Sequence, residues 1–139
     1  MTTYTNYVII DDDAINNKIC TAVLSKLLEE VNITTFLDPI KGYAHIVTEY
    51  SRIDHDEKCV LLLDLNMPVM NGWQFLELFD KQDDAVKERV KIFILSSSVD
   101  KRDIERADKD KNVSNYLIKP LTKETLRLIS YSLGKKAIA

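Results

Sequence analysis

Val60-Leu61-Leu62-Leu63 is an apolar run with no polar interruption. A strand with one wet face alternates apolar and polar residues. One that does not alternate is covered on both faces, as in parallel sheets flanked by helices. Three further runs of strand length occur at residues 7–10, 90–95 and 116–118, with a weaker one at 33–37. Helical periods fill the gaps. Ile15, Ile19, Val23 and Leu27 repeat over residues 14–30. Asp38-Pro39 reads as an N-cap followed by proline at the first helical position, opening a helix to about residue 51. Residues 72–80 place Phe75, Leu76 and Phe79 on one side. Residues 100–109 carry Ile104 and Ala107 as the inward positions of an otherwise charged helix. Thr122 caps a last helix with Leu126, Ile129 and Leu133 inward, stopped by Gly134.

The order βαβαβαβαβα predicts an α/β, doubly wound fold with five helices. Five parallel strands suit the flavodoxin-like order 2-1-3-4-5. The 139 residues suffice for a single domain, and no repeat or Pro/Gly/Ser-rich linker divides them. A formal net charge of −3 leaves no electrostatic footprint for nucleic acid. No apolar run approaches the roughly 18 residues of a membrane span. The first residues, MTTYTNY, lack the basic and apolar regions of a secretory signal. A cytoplasmic protein is expected, with Cys20 and Cys59 as buried, reduced thiols. His45 and His55 have no third ligand-type partner at metal spacing and read as ordinary helix or loop residues.

Open parallel sheets bind ligands beyond the carboxyl ends of their strands. The first strand is followed by Asp11-Asp12-Asp13, the third by Asp64, the fourth by Ser96-Ser97-Ser98 and the fifth by Lys119-Pro120. In the order 2-1-3-4-5 these four strands are neighbours, so their ends share one rim. Each feature alone is weak. Asp13 has the position of a helix N-cap, a lone Asp is a common turn residue, and a serine run is usually a loop. Their coincidence at four adjacent strand ends points to a site. Asp11, Asp12 and Asp64 bring −3 and Lys119 brings +1, so a divalent cation would balance the rim. Oxygen donors alone favour Mg²⁺, with Mn²⁺ as a substitute. A carboxylate beside such an ion can attack phosphorus and form an aspartyl phosphate.

VIIDDD, LLLDLNMPVMNGWQFL, FILSSS and NYLIKP, in that order and spacing, resemble the receiver domain of two-component response regulators over roughly residues 6–134. The resemblance implies that Asp64 is the phosphoacceptor. It implies Asp12 and Asp64 as carboxylate metal ligands, Asn66 as a backbone-carbonyl ligand and Asp11 as a ligand through water. Ser96 corresponds to the switch hydroxyl, Tyr116 to the switch aromatic, and Lys119 to the lysine that pairs with the phosphoryl group. The peptide bond between this lysine and its proline is often cis in the family. Asn66 and Ser98 flank the site and are expected to tune hydrolysis. The partners implied are a sensor histidine kinase or a histidine phosphotransfer protein. A downstream target would read the surface of the fourth helix, fifth strand and fifth helix. With only GKKAIA after residue 133, a stand-alone receiver is expected, chemotaxis-regulator-like and not an enzyme beyond self-phosphorylation and slow autodephosphorylation.

Two stretches depart from the family pattern. ADKDKNVSNYLIKP lacks the Ala/Gly-rich turn usual before the last strand, and SRIDHDEK before the third strand is long and charged. A rival class, the haloacid dehalogenase-type phosphatases, also uses a strand-end Asp, Mg²⁺, a hydroxyl and a lysine. It needs a second acid two residues after the nucleophile, where this chain has Asn66. A degenerate, binding-only receiver would have lost part of the Asp11/Asp12/Asp64/Ser96/Lys119 set.

Overall fold

The apolar runs assemble into five parallel strands in the order β2-β1-β3-β4-β5. The computed structural model describes residues 4–52 and 57–134. Its elements are β1 (Asn6–Ile10), α1 (Ala14–Leu27), β2 (Asn32–Phe36), α2 (Pro39–Tyr50), β3 (Cys59–Leu63), α3 (Gly72–Asp80), α4 (Asp84–Arg89), β4 (Val90–Ser96), α5 (Lys101–Lys109), β5 (Val113–Ile118) and α6 (Lys123–Ser132). Residues 53–56 of the charged stretch before β3, His55 among them, and the tail after Gly134 lie outside the described residues. Among the described residues no helix is long and apolar enough to cross a membrane.

Strand side chains alternate between the two faces of the sheet, and each face has its own core. Tyr7, Ile9, Val60, Leu62, Phe93, Leu95 and Leu117 pack under α1 and α6, against Cys20, Leu24, Leu126 and Ile129. Val8, Ile10, Leu61, Leu63, Ile92 and Ile94 pack under the helices of the other face, against Ile46, Phe75, Phe79, Val86 and Ala107. Every residue of β3 is buried, as its unalternating run requires. Cys20 and Cys59 are free and buried, and burial pushes both thiols up to about 12. His45 lies in α2 with its ring against Phe36, 5.1 Å between centroids.

The helix ends follow their capping chemistry. Asp13 accepts the Ile15 amide, Asp38 the Ile40 amide and Asp100 the Arg102 amide. Asn71 with Gln74, and Thr122 with Thr125, form reciprocal capping boxes.

Three expectations are corrected. The described residues form six helices where the sequence predicts five, because Asp84–Arg89 forms a short extra turn. Its one buried apolar residue, Val86, is too little for a periodic signal. In α1 the buried residues are Asn16, Asn17, Cys20 and Leu24, whereas Ile15 is 69% and Ile19 39% exposed. The apolar stripe lies one residue away from the stripe that faces the sheet. Ile104 is likewise exposed, and only Ala107 of α5 is buried.

The turn before β5 has its own chemistry in place of Ala/Gly. The Asp110 side chain accepts the Asn112 amide, and the Asp110 carbonyl accepts the Val113 amide. The β4–β5 register then skips Ser114, pairing Ile92 with Val113 and Phe93 with Asn115.

Candidate phosphoryl-acceptor site

Register builds the site. Ile10 pairs with Leu63, so the next residues out, Asp11 and Asp64, stand side by side at the ends of β1 and β3. The Asp64 amide donates to the Ile10 carbonyl at 3.0 Å. Ser96 pairs with Ile118, which brings Lys119 beside it, and the Lys119 amide donates to the Ser96 carbonyl at 2.9 Å. Alternation then sorts the side chains. Asp11 follows Tyr7 and Ile9, Asp64 follows Val60 and Leu62, and Lys119 follows Leu117, all of them on the α1/α6 face. Ser96 follows Ile92 and Ile94 on the opposite face, and Tyr116 packs against that same core. One rim thus carries carboxylates and ammonium on one side and hydroxyl and aromatic on the other.

The Lys119 ammonium lies 2.8 Å from Asp11 Oδ2 and 3.5 Å from Asp64 Oδ1. Asp11 is almost wholly buried, and both its oxygens are hydrogen-bonded. Oδ1 accepts the Asp13 amide at 2.9 Å, and Oδ2 accepts the Asn16 amide group at 2.8 Å as well as Lys119. Asp12 is exposed. Carboxylate oxygens of Asp11, Asp12 and Asp64 all lie within 4.8 Å of one another. Burial raises the Asp64 carboxyl, and the charge of Asp11 adds to the effect. Lys119 and the Leu65 amide pull it back, leaving it at about 6. For Lys119, burial opposes the charge. The hydrogen bond to Asp11 and the charges of both carboxylates outweigh it and hold the ammonium above its ordinary value.

The family model for the response regulator receiver domain matches residues 7–130. The chain belongs to the response regulator receiver domains. A receiver protein structure from Dyadobacter fermentans is 28% identical over 94% of this chain and 98% of that one, with a TM-score of 0.81. A two-component response regulator from Cytophaga hutchinsonii is also 28% identical, over 96% of this chain and all of its own, at 0.80. The CheX–CheY–BeF₃–Mg²⁺ complex from Borrelia burgdorferi shares the fold, with a TM-score of 0.75 at 20% identity over 97% and 92% of the two chains. Stress response regulator protein 1 of Lodderomyces elongisporus is 29% identical over 103 residues, which are 74% of this chain. This receiver spans about a quarter of that curated relative's length, 26%.

The remaining candidate residues lie on β4 and β5 and in the segments that follow β3 and β5. Ser96 is fully buried, and its Oγ accepts the Ser98 amide at 3.1 Å. Tyr116 is half-buried, and its hydroxyl donates to the Ser98 carbonyl at 2.8 Å. Asn66 is exposed, two residues beyond Asp64. The Lys119–Pro120 peptide bond is cis. Between Asp64 and α3, Val69 adopts φ +69° at the centre of a three-residue turn, closed by the Met70 amide on the Pro68 carbonyl at 2.7 Å. For a β-branched residue that is a strained conformation.

Two site residues escaped the sequence reading. Asn16 fixes the Asp11 carboxylate, and Asn17 donates to the Asp11 backbone carbonyl at 3.1 Å. A signal for them existed. Asn16, Cys20 and Leu24 recur every four residues, and an amide buried in the first turn after an acidic strand end needs a polar partner.

Proposed function

We propose that this receiver accepts a phosphoryl group on Asp64 from a phosphohistidine, carried by a sensor histidine kinase or a histidine phosphotransfer protein. The observation that carries the reading is the gathering of three carboxylates at a single strand-end rim, two of them in contact with one ammonium. An Asp64 oxygen attacks phosphorus, an O–P bond forms, and the N–P bond of the phosphohistidine breaks with its electron pair leaving on the imidazole. The Asp64 carboxyl, at about 6, is mostly ionised at neutral pH and therefore nucleophilic. Lys119, already 3.5 Å from Asp64 Oδ1, stands where it can offset charge on the transferred group.

The donor set fits a hard divalent cation, since only oxygens are on offer and the rim has excess negative charge. Asp12, Asp64 and the Asn66 carbonyl would hold Mg²⁺ directly, and Asp11 would do so through water. The ion would supply neutralisation of the phosphoryl oxygens. The phosphorylated receiver would then bind a downstream partner through α5, β5 and α6, or pass the group on. It would have no catalytic turnover beyond its own phosphorylation and slow dephosphorylation.

Incubation with a small acyl phosphate and Mg²⁺ should produce one hydroxylamine-labile phosphate per chain, detected by intact mass. No adduct, or one that survives in Asp64→Asn, overturns the reading. Steady hydrolysis of a generic phosphate ester would instead indicate a phosphatase.

The aspartate cluster divides by role. Asp12→Ala should abolish Mg²⁺ binding measured by calorimetry. Asp13→Ala should leave it intact and cost about 1 kcal/mol in urea unfolding, the usual worth of an N-cap. Loss of Mg²⁺ binding in Asp13→Ala would contradict this division.

A further inference from the structure

All the polar groups of Ser98 are engaged, and each bond leads to a different part of the switch. Its amide donates to Ser96 Oγ at 3.1 Å. Its carbonyl accepts the Tyr116 hydroxyl at 2.8 Å. Its hydroxyl accepts the Asp100 amide at 3.3 Å and donates to Asp103 Oδ2 at 2.7 Å. Asp103 sits in the first turn of α5. That helix is anchored in turn to α3, where the Arg106 guanidinium lies 4.4 Å over the Trp73 ring and 3.6 Å from Glu77.

We infer that the Ser98–Asp103 hydrogen bond is a latch that holds the β4–α5 loop, and with it Ser96 and Tyr116, in the unphosphorylated arrangement. The inference rests on the phosphoryl-acceptor reading of Asp64. Ser96 leaves its strand on the face opposite Asp64, so its hydroxyl has to be re-aimed to meet a phosphoryl group there. Ser98, two residues on, must move with it. Of the bonds made by Ser98, those to Ser96, Asp100 and Tyr116 link neutral groups. Three of its four partners, Ser96, Asp100 and Tyr116, border the loop or lie on β5. Only the bond to Asp103 has a carboxylate acceptor, and charge-assisted bonds are the shorter and stronger kind. It therefore dominates the resistance of the loop to movement. Ser98 and Asp103 act here as positioning residues: neither touches Asp64.

A latch of this kind lowers the population of the competent loop state, and apparent affinity for a phosphoryl group falls by the same fraction. Releasing it raises that affinity. The test is calorimetric titration of the full chain with beryllofluoride, a phosphoryl analogue, at saturating Mg²⁺. Ser98→Ala and Asp103→Ala should each tighten binding about tenfold, which is about 1.4 kcal/mol. The double variant should tighten it no further than either single one, because both remove the same bond. Ser98→Thr, which keeps the hydroxyl, should retain wild-type affinity. Mg²⁺ affinity without beryllofluoride should be unchanged in all of them.

Asp103 also carries negative charge at a helix N-terminus, which by itself stabilises α5. Tightening in Asp103→Ala without tightening in Ser98→Ala would assign the effect to that charge and overturn the latch. Additive effects in the double variant would overturn it as well. A wild-type protein that takes up no beryllofluoride at all would overturn the reading of Asp64 on which the latch rests.

Discussion

Asp64→Asn is expected to abolish the phosphate adduct and, at the same time, to make the metal-free protein more stable at neutral pH. The sign follows from proton linkage. The Asp64 carboxyl titrates at about 6 in the folded chain against 3.8 as its ordinary value. The folded state therefore holds this proton more tightly than the unfolded state. Stability linked to Asp64 is fully present below about pH 4 and is lost as pH rises through about 6. The difference of about two pH units corresponds to on the order of 3 kcal/mol at pH 7. An amide has no such proton to lose. Urea unfolding in EDTA should show the Asn variant ahead by on the order of 2–3 kcal/mol at pH 7, with the gap closing towards pH 4. A gap independent of pH would show that ionised Asp64 is not the source of the strain. Mg²⁺ should reverse the order at pH 7, because a ligand that binds only the folded state stabilises it by mass action. Only the wild type keeps the full carboxylate set.

The sheet and its acidic rim were legible in the sequence. The unalternating run ending in Asp64 marks a strand covered on both faces, and the strand-end polar residues align only if the sheet is parallel. Together with the alternation of five strands and helices, those features point to the order β2-β1-β3-β4-β5, and that order to the rim. They do not settle which face each side chain takes. That depends on register, and register pairs Ile10 with Leu63 and Ser96 with Ile118. Helix orientation was less legible. Ile15 and Ile19 look like the inner stripe of α1, yet the rim above β1 is polar. The first turn of α1 consequently turns Asn16 and Asn17 inward to satisfy Asp11, and only further along do Cys20 and Leu24 meet apolar neighbours. A site that needs buried hydrogen-bond partners overrides the apolar period locally. The bonds of Ser98 were invisible for a similar reason. They join residues 96, 98, 100, 103 and 116 through a loop whose serine run has no pattern of its own.

Gly72→Ala is expected to damage both fold and phosphorylation. Gly72 opens α3, and its amide donates to the Leu65 carbonyl at 2.9 Å. A Cβ at this position would stand 2.6 Å from the Asp64 carbonyl oxygen and 2.9 Å from the Leu65 Cα. Both obstacles are backbone at the end of the central strand, so neither can rotate away. Alanine would normally favour a helix by about 1 kcal/mol over glycine. Forcing a methyl group into rigid surroundings costs about 1–3 kcal/mol, and the unyielding backbone places this case at the upper end. The net expectation is a loss of about 2 kcal/mol in urea unfolding. The relief available is for α3 to back away from β3, and that movement drags the Asp64–Leu65 backbone with it. Displacement of a reacting group by about 1 Å can cost a hundredfold in rate, so phosphorylation from an acyl phosphate should slow at least tenfold. The two losses share one contact and should appear together. A variant with wild-type stability and rate would show that α3 tolerates the methyl group. Lost stability with an unaltered rate would show that Asp64 is positioned independently of the helix behind it.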